Sequence, residues 1–125
     1  MIMKRTIMIV DDSPTVLKFV SYSLKNSGFK VITAMDGMDA LEKLAALNQG
    51  VDMIITDLNM PNMDGYELIS TLRRNDKFGG MPIIILSSEE DEADKRKGED
   101  VGADSYLTKP FKSSVLLYEV SKFLS

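Results

Sequence analysis

The chain has 125 residues, 44% hydrophobic and 27% charged, which suits one soluble globular domain with a real core and leaves no length for a second. A formal charge of -4 and a pI near 4.8 argue against non-specific nucleic-acid binding, which needs a basic footprint. With neither Cys nor His, the chain offers no disulfide, thiol nucleophile, imidazole base or Cys/His metal site, and no apolar stretch approaches the roughly 20 residues of a membrane span.

Met1 to Arg5 leads into the first strand without a signal-peptide core, so a cytoplasmic protein is expected. Thr6 to Val10 reads as a continuous apolar strand. Ser13 is a suitable N-cap with Pro14 at the first helical position, and Val16, Leu17, Val20 and Leu24 then follow helical spacing up to a stop at Gly28. Val31 to Ala34 is a short strand. Asp39 to Leu47 is helical, with Ala40, Leu41, Leu44 and Leu47 on one face. Met53 to Thr56 is a buried strand, and Asn59 to Gly65 a loop carrying Pro61 and two Asn. Tyr66 to Arg74 is a helix with Leu68, Ile69 and Leu72 inward. Pro82 to Leu86 and Ser105 to Thr108 are strands. Ser113 to Leu124 is a closing helix facing inward through Val115, Leu116, Val120 and Phe123.

Between the last two strands, Glu89 to Asp100 fits a helix poorly. Its apolar stripe is reduced to Ala93 and the flanking Val101, and Gly98 falls inside it. Its acids come early (Glu89 to Glu92) and its bases later (Lys95 to Lys97), an order that complements the helix dipole. With little to bury, it is predicted to be the least stable helix. Five strands alternating with five helices imply an α/β fold, a doubly wound parallel sheet covered on both faces with right-handed crossovers. No repeat or linker divides residues 1–125, so a single domain is expected.

Four apolar runs end on polar residues: Asp11-Asp12, Asp57, Ser87, and Lys109-Pro110. In open α/β sheets, ligands bind at the carboxyl ends of strands where the strand order reverses. In the order 2-1-3-4-5 that reversal lies between the first and third strands, which brings Asp11-Asp12 beside Asp57. A lone Asp after the first strand would be read as a helix cap. Two, with a third on the neighbouring strand, form a carboxylate cluster that calls for a cation, and oxygen donors suit Mg²⁺. Asp57 could attack phosphorus to form an acyl phosphate, with Lys109 and Ser87 binding the phosphoryl oxygens.

These residues carry a resemblance. The chain resembles a response-regulator receiver domain of two-component signalling through Asp11-Asp12-Ser13, the run Asp57-Leu58-Asn59-Met60-Pro61-Asn62-Met63-Asp64-Gly65, Ser87, and the run from Gly102 to Phe111. It is most similar to the stand-alone, CheY-like chemotaxis regulators. The resemblance implies a flavodoxin-like fold with strand order 2-1-3-4-5. It implies that Asp57 accepts phosphate from a histidine kinase, so that the protein is a signalling phosphoacceptor and not an enzyme acting on an outside substrate. Asp12, Asp57 and the Asn59 carbonyl would hold Mg²⁺, with Asp11 acting through water. Ser87 and Lys109 would bind the phosphoryl group. Ser87 and Tyr106 would form the switch, and Asn59 and Glu89 would tune phosphate lifetime. It also implies a cis Lys109-Pro110 bond and a target protein bound by the fourth helix, fifth strand and fifth helix.

The chain ends at Ser125, so a module without an output domain is expected, acting through protein contact and not on nucleic acid or membrane. A phosphorelay intermediate that loads a second histidine is the alternative. An aspartate-nucleophile phosphatase of the haloacid dehalogenase type would need Asp-x-Asp after the first strand, where this chain has Asp11-Asp12. A flavodoxin would place FMN phosphate against the same two acids, which would repel it.

Overall fold

A computed structural model describes residues 4–47, 50–88 and 92–124. The elements run β1 (Thr6–Val10), α1 (Pro14–Asn26), β2 (Lys30–Ala34), α2 (Gly37–Ala46), β3 (Met53–Thr56), α3 (Gly65–Arg73), β4 (Ile83–Ser87), α4 (Glu92–Val101), β5 (Ser105–Thr108) and α5 (Ser113–Phe123). The five strands are parallel and ordered β2-β1-β3-β4-β5, as expected.

Every residue of β1, β3 and β4 is buried, because helices cover both faces of these central strands. Alternate residues serve opposite layers. Ile7, Ile9, Met53, Ile55, Ile84 and Leu86 pack with Val20 and Leu24 of α1 and Leu116 and Val120 of α5. Met8, Val10, Ile54, Ile83 and Ile85 pack with Ala40 and Leu44 of α2 and Leu68, Ile69 and Leu72 of α3. The edge strands β2 and β5 are only partly covered. Among the described residues, no helix is long and apolar enough to cross a membrane.

Several boundaries differ from the sequence reading, each for a local reason. The second helix starts at Gly37 and not Asp39, because Asp36 caps it by accepting the Asp39 N–H at 2.8 Å. The third starts at Gly65, capped by Asp64 accepting from Glu67 N–H at 2.9 Å. The fourth strand begins at Ile83, after Pro82, and extends to Ser87, which pairs with Thr108. Ser13 and Pro14 open α1 as expected, and Gly28 follows its end at φ +94. Val115, expected inward, is 43% exposed, because α5 buries Leu116 and Val120 instead.

Gly98 reads in the sequence as a weakness of the fourth helix. In the structure it is the one described residue of α4 that is buried. A Cβ there would lie 2.8 Å from Ile85 Cδ1 and 3.6 Å from the Tyr106 ring, so the missing side chain lets α4 approach the sheet. Across the bottom of this layer, Arg73 ties two loops together, the one between α3 and β4 and the one between α4 and β5. It donates to the carbonyls of Gly102, Gly79 and Met81 and pairs with Asp104, whose Oδ2 also accepts the Ile83 N–H.

Candidate functional site

The register that aligns Val10 with Thr56 brings the ends of β1 and β3 side by side, at the point where the strand order reverses. The Asp57 N–H donates to Val10 O at 2.8 Å, which carries the alignment one residue past the strands. One carboxylate oxygen from each of Asp11, Asp12 and Asp57 then lies within 4.8 Å of the others. Asp11 is buried and Asp12 is exposed, while the Asp57 side chain is 12% exposed.

Each acid is held differently. Asp11 Oδ1 accepts the Ser13 N–H at 2.9 Å, and its Oδ2 accepts from Lys109 Nζ at 3.0 Å. Asp57 Oδ1 accepts the Leu58 N–H at 2.8 Å and lies 3.6 Å from Lys109 Nζ. One ammonium therefore serves two carboxylates. The Asp57 carboxyl titrates above its ordinary value of 3.8. Burial is the largest cause, the Lys109 charge opposes it, and the charges of Asp11 and then Asp12 add to it. A dense all-oxygen donor set whose members repel one another fits a hard divalent cation, and the exposed Asp12 leaves one side open to solvent ligands.

The remaining candidates take these places. Ser87, at the end of β4, is fully buried, and its carbonyl accepts the Lys109 N–H at 2.7 Å, tying the fourth and fifth strand ends together. Asn59 is exposed on the loop two residues beyond Asp57. Tyr106 is half-buried on β5, in register with Ile85, with Lys95 Nζ 6.0 Å from its ring centroid. The Lys109-Pro110 bond is cis. Glu89 lies outside the described residues. The structure thus gathers Asp11, Asp12, Asp57 and Lys109 in direct proximity, and places Ser87 at the same sheet edge.

The sequence reading did not single out Gly65 by itself. Its N–H donates to Leu58 O at 2.9 Å, and a Cβ would lie 2.2 Å from Asp57 O, so a side chain at this position would push the Asp57 backbone out of line. The spacing from Asp57 to the start of α3 is the only signal in the sequence that could have suggested it.

A family model described as the response regulator receiver domain matches residues 7–121. Protein PilG of Pseudomonas aeruginosa is 43% identical over 111 residues, which span 89% of this chain and 81% of PilG. The alkaline phosphatase synthesis transcriptional regulatory protein PhoP of Bacillus subtilis is 39% identical over 87% of this chain, but the match spans only 44% of PhoP. Among solved structures, the chemotaxis response regulator CheY4 of Vibrio cholerae has a TM-score of 0.90 at 35% identity, covering 98% of this chain and all of CheY4. A putative response regulator from Chloroflexus aurantiacus has a TM-score of 0.92 at 33% identity, covering 98% of each chain.

Proposed function

This chain belongs to the response regulator receiver domains of two-component signalling, and from that premise we propose that Asp57 is its phosphoacceptor. The observation that carries the reading is the placement of Asp57 against Asp11, Asp12 and Lys109 at the switch point of the sheet. In the reaction, an Asp57 carboxylate oxygen attacks the phosphorus of a kinase phosphohistidine. The O–P bond forms as the P–N bond breaks, and the imidazole nitrogen leaves with the electron pair. Hydrolysis later returns the carboxylate and inorganic phosphate. Lys109 balances charge on the phosphoryl oxygens, and the Ser87 hydroxyl donates a hydrogen bond to one of them.

Asp12, Asp57 and the Asn59 carbonyl would hold Mg²⁺, with Asp11 acting through water. When bound, the ion offsets repulsion between the attacking carboxylate and the incoming phosphoryl oxygens. Asn59 and Glu89 tune the lifetime of the phosphate by controlling access of water. Ser87 and Tyr106 transmit its presence to the face formed by α4, β5 and α5, where a target protein binds. The likeness to CheY4, a chemotaxis response regulator, supports a regulator of the chemotaxis type.

Incubation with Mg²⁺ and a small phosphodonor is expected to give a phosphate-mass adduct mapped to Asp57 by peptide mass spectrometry. An adduct undiminished in Asp57→Asn would refute the assignment. Transfer of the label from Asp57 to a histidine-containing partner would instead identify a phosphorelay.

A further inference from the structure

The loop that follows Asn59 is locked to the start of α2 by contacts the phosphoryl chemistry does not use. The Met63 N–H donates to Pro61 O at 2.7 Å, closing a three-residue turn centred on Asn62. Asn62 has φ 66 and is the only non-glycine residue at positive φ among those described. Asn tolerates this region better than most residues but still favours it less than glycine, so the neighbourhood must hold the turn in place.

Three contacts do so. Asn62 Nδ2 donates to Asp36 Oδ2 at 2.8 Å. The Gly37 N–H donates to Met63 O at 3.1 Å. The Met63 side chain covers Gly37 so closely that a Cβ there would lie 2.6 Å from Met63 Cγ. Asp36 is itself fixed, since its Oδ1 accepts the Asp39 N–H as the cap of α2. That bond and the Asn62 amide hold its carboxyl below the ordinary value, so it acts as a charged acceptor at neutral pH.

The loop is pinned at its other end by the Leu58 N–H on Asp57 Oδ1 and by Leu58 O on the Gly65 N–H. Asn59, Met60 and Pro61 span the interval between the two anchors, and Pro61 has a fixed φ. We propose that Asn62, held by Asp36, is a positioning residue for the Asn59 carbonyl, and that this latch sets the affinity of the acidic site for a divalent cation. The inference rests on the reading of Asn59 as a backbone ligand. It adds that a side-chain pair outside the acidic cluster determines how well that ligand is aimed.

The test is Mg²⁺ titration of the full chain by calorimetry, with the unsubstituted protein, Asn62→Ala, Asp36→Ser and the double variant. Serine keeps a capping oxygen for α2 but loses the second oxygen that Asn62 uses. Circular dichroism of each metal-free variant checks that it is folded. Loss of one charge-assisted hydrogen bond is expected to weaken Mg²⁺ binding by about three- to tenfold in Asn62→Ala. The double variant is expected to stay within about twofold of Asn62→Ala, because both substitutions break the same bond. Fully additive losses would assign the effect of Asp36 to its charge alone and overturn the latch. Unchanged affinity in Asn62→Ala, with normal binding by the unsubstituted protein, overturns this inference and leaves the acidic site standing. Absence of Mg²⁺ binding in the unsubstituted protein overturns both.

Discussion

Replacing Asp57 by Asn is expected to stabilise the metal-free protein at neutral pH. At 3.6 Å, the attraction to Lys109 is about 5 kcal/mol for an effective dielectric near 20, and repulsion from Asp11 at up to 4.8 Å is about 3–4 kcal/mol. Asp12 adds a smaller, solvent-screened repulsion. The charge terms nearly cancel, so burial decides the sign, in keeping with the raised carboxyl pKa. Asparagine keeps an oxygen for the Leu58 N–H and removes the buried charge. The expected gain is about 1 kcal/mol, or about 3–5 °C in melting temperature. Because the folded-state pKa is raised above 3.8, the folded protein binds more protons than the unfolded chain between those two values. Stability of the unsubstituted protein therefore falls as pH rises through that window. The advantage of Asp57→Asn is near zero below it and complete above it. Mg²⁺ reverses the order, since ligand at about 100 times its dissociation constant adds about 2.7 kcal/mol to a protein that binds it. The assay is urea unfolding followed by far-ultraviolet circular dichroism from pH 3.5 to 8, with chelator and with Mg²⁺. An Asp57→Asn variant no more stable than the unsubstituted protein in chelator at neutral pH would refute the reasoning.

Other substitutions separate the parts of the site. Lys109→Ala leaves the Asp11 carboxylate buried without the partner it has at 3.0 Å, and is expected to cost about 2–4 kcal/mol in unfolding experiments while slowing adduct formation at Asp57. Gly65→Ala sets a Cβ against the Asp57 carbonyl, a backbone atom that cannot swing aside. A loss of about 2–4 kcal/mol is expected from urea titration, and a smaller loss would mean the loop relaxes freely. Tyr66→Phe removes the hydrogen bond from Tyr66 Oη to Asp94 O at 3.2 Å, which joins α3 to α4. Amide hydrogen exchange in α4 is expected to speed up about two- to fivefold, with little change in β1 or β3.

The sheet was legible because central parallel strands are apolar on both faces, so Thr6–Val10, Met53–Thr56 and the Ile83–Leu86 run stand out without any alternation to decode. The acidic cluster was legible because each member directly follows such a run, and topology does the rest. What escaped is what depends on contact between remote residues. Asp36 and Asp64 cap helices ahead of the first apolar position, so stripe counting placed those helix starts too late. Gly98 looked like a fault because helix propensity cannot register Ile85 lying against it. The Arg73–Asp104 pair joins residues 31 apart, and neither carries a pattern that points to the other.

The thin docking of α4 bears on how a phosphate at Asp57 could be felt at a distance. Beyond the Gly98 contact, the described ties of α4 include the Tyr66 hydrogen bond, Lys97 Nζ 4.3 Å from the Tyr66 ring centroid, and Lys95 near Tyr106. Such ties are worth about 0.5–1 kcal/mol each at a partly exposed surface, or about 1.5–3 kcal/mol together. A charge-assisted hydrogen bond to a phosphoryl oxygen contributes about 1.5–3 kcal/mol. One or two bonds made in only one arrangement of the Ser87 and Lys109 strand ends would therefore match these three ties. The Lys109 N–H on Ser87 O already couples those ends, and Tyr106, on the strand that leads into Lys109, faces the position a Gly98 side chain would take on α4. Substituting Gly98 by leucine, whose side chain has no room against Ile85, is expected to push α4 off the sheet and speed amide hydrogen exchange in α4, while leaving Asp57 able to accept phosphate.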